Sequence, residues 1–234
     1  MSFTPAKTVT SSQPGVHKNL GKVVTKHLLH QSRKPILAHN QAQFDKAYQW
    51  WQAKGQGKVI LDSACGTGES SRWLAENYPD AMVIGLDQSA KRLSHSDNTQ
   101  LSDNCLLLRC ECTDFWRLAK RAQWQFGKHT LFYPNPWPKP QHLQRRWHGN
   151  PSFIALLAIS QSIELRTNWH IYAEEFYQAL LVAQSLQQDP AQDLVCTIPT
   201  LPSPILNEYR PSFTITAFER KYHISGHKLW QVSC

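Results

Sequence analysis

An α/β fold built on a mostly parallel sheet is the architecture this sequence predicts, and three features predict it. Val59 to Asp87 reads as strand, tight glycine loop, helix and strand, the unit that joins two parallel strands. Its apolar runs, Val59-Ile60-Leu61 and Met82-Val83-Ile84, are short and continuous, as in strands buried on both faces. Further runs of this kind alternate with helical patterns along the rest of the chain.

Taken in order, the chain opens on a basic stretch. The first 44 residues carry Lys7, Lys18, Lys22, Lys26, Arg33 and Lys34 and no acid, with Pro5, Pro14 and Gly15 among Ser, Thr and Gln. They read as a flexible basic arm over residues 1–40 that orders from about His27, ahead of one catalytic-size domain over 41–234. Phe44, Ala47, Tyr48 and Trp51 recur at helical spacing and predict a helix packed on the sheet. The first strand leads into Ser63-Ala64-Cys65-Gly66-Thr67-Gly68. A helix over Glu69–Tyr78 follows, stopped by Pro79, and then the strand Met82–Leu86 with Asp87 at its end.

Ser89–Ser94 predicts a short helix and Cys105–Arg109 a third strand. Glu111 to Asp114 open a helix that takes in Phe115, Leu118 and Trp124. The fourth strand is His129–Tyr133. Asn150-Pro151 reads as N-cap and first position of a helix over Ser152–Ile163. Glu164–Arg166 lies in a fifth strand, Tyr172–Leu186 is a long amphipathic helix, and Asp193–Ile198 a sixth strand. Phe213–Lys221 and Lys228–Val232 predict a closing hairpin around Gly226.

Composition bounds the function. With 234 residues and 41% hydrophobic content, one packed domain plus an appendage is the natural size. No apolar run reaches the roughly 18 residues a membrane span needs, and the polar N-terminus has no signal-peptide pattern. Six cysteines are scattered; Cys110-Glu111-Cys112 has no metal-ligand spacing and no second close pair. These features predict a cytoplasmic protein with reduced thiols and no metal. The net charge of +8 favours a polyanionic partner.

The glycine loop names a ligand class. Only Gly66 and Gly68 stand where a dinucleotide fingerprint has three glycines, and the acidic Asp62 sits where the loop leaves the strand. That is a poor neighbour for a pyrophosphate. It suits a ligand with a cationic end and a ribose, such as S-adenosylmethionine, with Asp87 placed to take the ribose hydroxyls. The stretch resembles motif I of class I S-adenosylmethionine methyltransferases, whose Rossmann-like, mostly parallel seven-stranded sheet carries one antiparallel strand. That resemblance implies a cofactor site of Asp62, Ala64, Gly66, Gly68 and Asp87. The family usually has glycine at the Ala64 position. It usually has an aspartate, accepting from the adenine amino group, where this chain has Cys112 beside Glu111.

The most specific stretch is Tyr133-Pro134-Asn135-Pro136-Trp137-Pro138-Lys139-Pro140-Gln141-His142-Leu143-Gln144-Arg145-Arg146-Trp147. Its prolines leave little regular structure and hold Asn135 and Trp137 at the carboxyl end of the fourth strand. The stretch resembles the signature of bacterial tRNA (guanine-N7)-methyltransferases. The resemblance covers Val59 to the end and implies tRNA as partner and Lys139, Arg145 and Arg146 as RNA-contacting residues; the sequence does not give the oligomeric state, and a monomer is the expectation. Asn135 stands where the family has an aspartate regarded as catalytic, and Asn168 where it has a substrate-contacting aspartate. Thr216-Ala217-Phe218-Glu219 keeps the family's T-x-x-E substrate motif. The resemblance therefore implies Asn135 and Glu219 as catalytic residues, Asn135 also lying against the cofactor. Asn168, Thr216 and Glu219 join the three basic residues at the substrate. Two other readings stand beside it: an amino-methyltransferase using Asn135-Pro136-Trp137, and a non-catalytic RNA- or cofactor-binding relative.

Overall fold

The computed structural model describes residues 4–95, 101–191 and 194–234. The helices are α1 (Leu20–Leu29), α2 (Ala38–Ala53), α3 (Glu69–Asn77), α4 (Ala90–Ser94), α5 (Cys112–Arg121), α6 (Phe153–Ala158), α7 (His170–Gln188) and α8 (Ala217–Ile224). The strands are β1 (Val59–Ser63), β2 (Met82–Asp87), β3 (Cys105–Arg109), β4 (Lys128–Phe132), β5 (Ile163–Thr167), β6 (Ile205–Tyr209) and β7 (Leu229–Ser233). They form one seven-stranded sheet in the order β3-β2-β1-β4-β5-β7-β6. β1 pairs in parallel with β2 and β4, and β2 with β3. β7 runs antiparallel to β5 and to β6. The expected mostly parallel sheet with one reversed strand near its end is the sheet observed.

The chain divides into two compact units. One holds Arg33–Phe132 and Ala155–Ile163, the other the chain up to Ser32 together with Tyr133–Ile154 and Glu164–Cys234. In the first, every residue of β1 and β2 is buried, which is why both strands read as unbroken apolar runs. Their helix packs close. A Cβ on Gly85 would meet the Ser71 Oγ and Leu107, so only glycine lets α3 approach β2. Of the aromatic residues of α2, Phe44 is core, as expected, and the half-buried Tyr48 and Trp51 pack at its edge. Phe44 meets Phe115 edge-on at 5.3 Å, and Tyr48 and Trp51 lie 5.2 and 5.0 Å from Trp124. Each such ring pair adds about 0.5–1.5 kcal/mol beyond its buried area. Trp124 itself lies past the end of α5, which closes at Arg121. Its ring is drawn into the core by this cluster rather than by helical period.

The second unit departs more from expectation. α1 starts at Leu20, ahead of His27, because Leu20, Val24, His27 and Leu28 make one buried stripe. The helix predicted to reach Ile163 ends at Ala158: Ser160 returns its hydroxyl to the Leu156 carbonyl and bridges Phe126, and Ile163 already opens β5. Asp193 lies outside the described residues. Leu194–Ile198 forms no strand, and Val195 N–H bonds the Leu28 carbonyl instead. The sixth strand is Ile205–Tyr209. Phe213–Lys221 is no hairpin arm, since most of it enters α8, and β7 pairs with β6. The misread signal was a capping box. The Thr216 hydroxyl accepts from Glu219 N–H at 2.9 Å, and the Glu219 carboxylate reaches back to Ile215 N–H at 2.8 Å. Among the described residues no helix is long and apolar enough to cross a membrane.

Candidate active site

In the first unit the glycine loop leaves the carboxyl end of β1, where open α/β sheets bind ligands. Ala64, Gly66 and Gly68 have φ of 61°, 65° and 77°. The loop thus needs three left-handed residues. Two are glycines; Ala64 holds the third at a strain of about 1–2 kcal/mol. The glycine usual at that position in the family is explained by this backbone.

Two buried aspartates tie the loop. Asp62 is fully buried, with Oδ2 accepting from the Ser70 and Ser71 hydroxyls at 2.6 and 2.7 Å and Oδ1 from the Thr130 hydroxyl at 2.8 Å. Burial raises its pKa above the ordinary carboxylate value, against the pull of the three hydroxyls. Its carboxylate meets the start of α3 and the middle of β4, so the side chain anchors the loop. Asp87 accepts from Gly66 N–H at 3.0 Å and Ser89 N–H at 2.7 Å, with Arg92 at 3.4 Å. A carboxylate has about four acceptor sites, so capacity remains on Asp87 for a ribose hydroxyl.

Under the loop runs a hydrogen-bond chain that sequence reasoning missed. Trp116 Nε1–H donates to Ser63 Oγ (3.0 Å), which lies 2.8 Å from His129 Nε2. His129 Nδ1 lies 2.8 Å from Ser160 Oγ, whose hydroxyl donates to the Leu156 carbonyl. The Ser160 end fixes Nδ1 as the donor, and in the neutral imidazole that burial favours Nε2 then accepts from the Ser63 hydroxyl. Burial lowers the His129 pKa to about 3, in agreement. The signal was available as His and Ser inside apolar strands, where a polar residue must find a partner.

At the third turn Cys112 is buried and its thiol pushed far above its ordinary pKa by burial, so it is a weak acceptor. Glu111 accepts from both Lys34 Nζ (3.0 Å to each oxygen) and the Thr113 hydroxyl at 2.7 Å.

In the second unit, Tyr133 and Trp137 take φ of 51° and 46°, positive for bulky residues. Asn135 is exposed between them, its Oδ1 accepting Trp137 N–H at 3.3 Å. The segment is held in this form by Arg146. That guanidinium is fully buried: Nε and Nη2 donate to the Trp137 carbonyl at 3.3 and 3.1 Å, and Nη2 also to the Lys139 carbonyl at 3.3 Å. Nη1 pairs with Glu175 at 2.5 Å, and Gln13 Oε1 accepts from Nη2 at 3.0 Å. Arg146 is therefore a clamp on the proline segment. Burial alone would raise the Glu175 pKa; the His148 hydrogen bond and the Arg146 charge overcome it and hold the carboxyl at about 2. Lys139 and Arg145 are exposed, as an RNA contact requires, and Arg145 lies 4.9 Å from the Trp137 ring centre.

Glu219 is also buried, with Oε1 accepting from the Tyr133 hydroxyl and Arg166 Nη1, both at 3.0 Å, and Oε2 from Ile215 N–H. Its carboxylate is engaged within the fold by these three donors. Thr216 is its cap partner. Asn168 Nδ2 donates to His227 Nδ1 at 3.2 Å, and His227 Nε2 to the Ala6 carbonyl at 3.0 Å.

This fold and loop define a methyltransferase. The family model described as "Putative methyltransferase" matches residues 56–232, and the chain belongs to that family. Among curated relatives, the tRNA (guanine-N(7)-)-methyltransferase of Aeromonas hydrophila is 26% identical over 76% of this chain and 72% of its own length. Those of Mannheimia succiniciproducens and Pseudoalteromonas atlantica are 27% and 28% identical over 74% of this chain, covering 68% and 70% of theirs. Of solved structures, an antibiotic-related methyltransferase superposes with TM-score 0.52 at 10% identity, over 82% of this chain and 93% of its own. The 16S rRNA methyltransferase KamB superposes with TM-score 0.51 at 14% identity, over 87% and 96%. At such identities these two speak for the fold alone.

Proposed function

We propose that this protein transfers a methyl group from S-adenosylmethionine to N7 of a guanine in tRNA, as a cytoplasmic enzyme. The observation that carries the reading is the Asn135-Pro136-Trp137 segment after β4, with Asn135 exposed and the segment clamped by Arg146, in a chain whose relatives of that name align over three quarters of its length. The cofactor supplies an electrophilic methyl group. The loop of Ala64, Gly66 and Gly68 and the remaining acceptor site of Asp87 fit its ribose. Glu111, rather than the protonated Cys112 thiol, is the acceptor for its adenine amino group.

Guanine N7 has a lone pair and no proton, so attack needs no general base. What it needs is alignment of nucleophile and methyl carbon. Asn135 orients the base through its amide. Positive charge develops on the guanine ring, and a carboxylate there would stabilise it better than an amide. Glu219 cannot supply that charge while it is bound to Arg166 and Tyr133, so the enzyme works through orientation and is slower for it. Lys139 and Arg145 hold phosphates, with an affinity that falls steeply with salt. The test is methyl transfer from labelled cofactor into bulk tRNA with identification of the product nucleoside. The expected product is 7-methylguanosine. Methyl on an exocyclic amine would replace this reading with an amino-methyltransferase, and no transfer would make the chain a non-catalytic relative.

A further inference from the structure

In the second unit α8 carries a stack of rings that the reaction does not use. Phe218 and Tyr222 lie with ring centres 6.1 Å apart and planes 23° apart; Tyr222 and His227 lie 5.4 Å and 18° apart. The inner end is fixed. Tyr133 packs against Tyr222 at 5.6 Å, and His227 is held at both nitrogens, by Asn168 and by the Ala6 carbonyl. The outer end is open, with Phe218 43% exposed. A rigid column of near-parallel rings that ends in an exposed face gives its next layer a stacking site already formed, at little entropic cost.

The surroundings choose the occupant. Beside Phe218, one turn along the same side of α8, Lys221 is exposed, while the helix's one acid, Glu219, is buried against Arg166. Cations flanking an exposed aromatic ring are the arrangement that holds a nucleobase with its phosphates; every base has a face to stack, so the contact is tolerant of sequence. A second protein copy would need an apolar or acidic complement, which this basic face does not favour.

We infer that Phe218 is a stacking platform for an unpaired nucleobase of the RNA substrate, with Lys221 holding an adjacent phosphate. The inference rests on the proposed RNA substrate. It adds a recognition site on α8, outside the residues that face the reacting guanine.

The test is tRNA affinity of the full chain across a salt series for Phe218→Ala, Phe218→Leu, Phe218→Trp and Lys221→Ala, with S-adenosylmethionine affinity as the check on folding. Phe218→Ala and Phe218→Leu should each weaken tRNA binding about tenfold with the salt slope unchanged, and Phe218→Trp should retain it. Lys221→Ala should lower the slope by about one. Unchanged affinity in Phe218→Ala, or Phe218→Leu binding as well as Phe218→Trp, would overturn the platform while wild-type methylation of tRNA left the function standing. Absence of wild-type tRNA binding would remove both.

Discussion

The two units bury carboxylates in opposite ways. Asp62, under the glycine loop, is met only by neutral hydroxyls, and its pKa is raised. Glu175, under the proline segment, is met by a buried arginine and a histidine, and its pKa falls to about 2. The first arrangement can lose its charge and keep its bonds. The second cannot, because removing one charge strands the other. The loop of the first unit is thus anchored by a neutralisable hub and the segment of the second by a locked ion pair.

The largest effect should come from breaking that pair. Glu175→Gln leaves the Arg146 guanidinium buried without a counter-charge and should cost about 3–5 kcal/mol of folding stability. Asp62→Asn, which keeps the volume and rehouses the hydroxyl bonds by rotation, should cost less than half of that. Urea unfolding of both variants checks the contrast. Equal losses would mean that the two carboxylates are held alike.

Acid should act next. His129 has a lowered pKa, so the unfolded chain takes up a proton below its ordinary 6.5 while the folded chain resists until about 3. Stability is full above pH 6.5 and is lost as pH falls through that window, on the order of 2 kcal/mol at pH 5. Glu175 adds a second loss between its ordinary 4.5 and about 2, since a depressed carboxyl stabilises only above its unfolded value. Asp62 runs the other way: its raised pKa makes acidification favourable from its folded value down to 3.8. Unfolding at pH 7 and pH 5 should therefore show a drop in wild type that His129→Gln reduces, the remainder coming from His148 and His27, whose pKa values burial also lowers. The smallest effect is a gain. Ala64→Gly relieves a left-handed alanine and should stabilise the fold by about 1 kcal/mol, visible as a higher melting temperature.

Legibility in the sequence followed the same division. In the first unit Val59–Ser63 and Met82–Asp87 are fully buried and announced themselves as apolar runs, Cys105–Arg109 kept a Cys-Leu-Leu-Leu run although it is only partly buried, and the glycines marked the loop after the first strand. In the second unit the edge strand Ile205–Tyr209 is largely exposed and carries no clear alternation, and the T-x-x-E motif is a helix cap before it is anything else. Exposure also decided the site. Asn135, Lys139 and Arg145 are open, as the roles proposed for them require, whereas Arg146, in the same segment, and Glu219, in the T-x-x-E motif, are paired inside the fold. A charged residue's motif does not say whether its charge is paired; its burial does.

Since Glu219 is occupied, the charge missing at Asn135 has no substitute among the buried carboxylates of this unit. Single-turnover methyl transfer into tRNA by wild type and Asn135→Asp, with the product nucleoside identified, tests that claim directly. A carboxylate at 135 should raise the rate by roughly tenfold or more, with 7-methylguanosine as the product of both enzymes. A sharp loss of rate in Asn135→Asp, with the wild-type methyl group on an exocyclic amine, would contradict it.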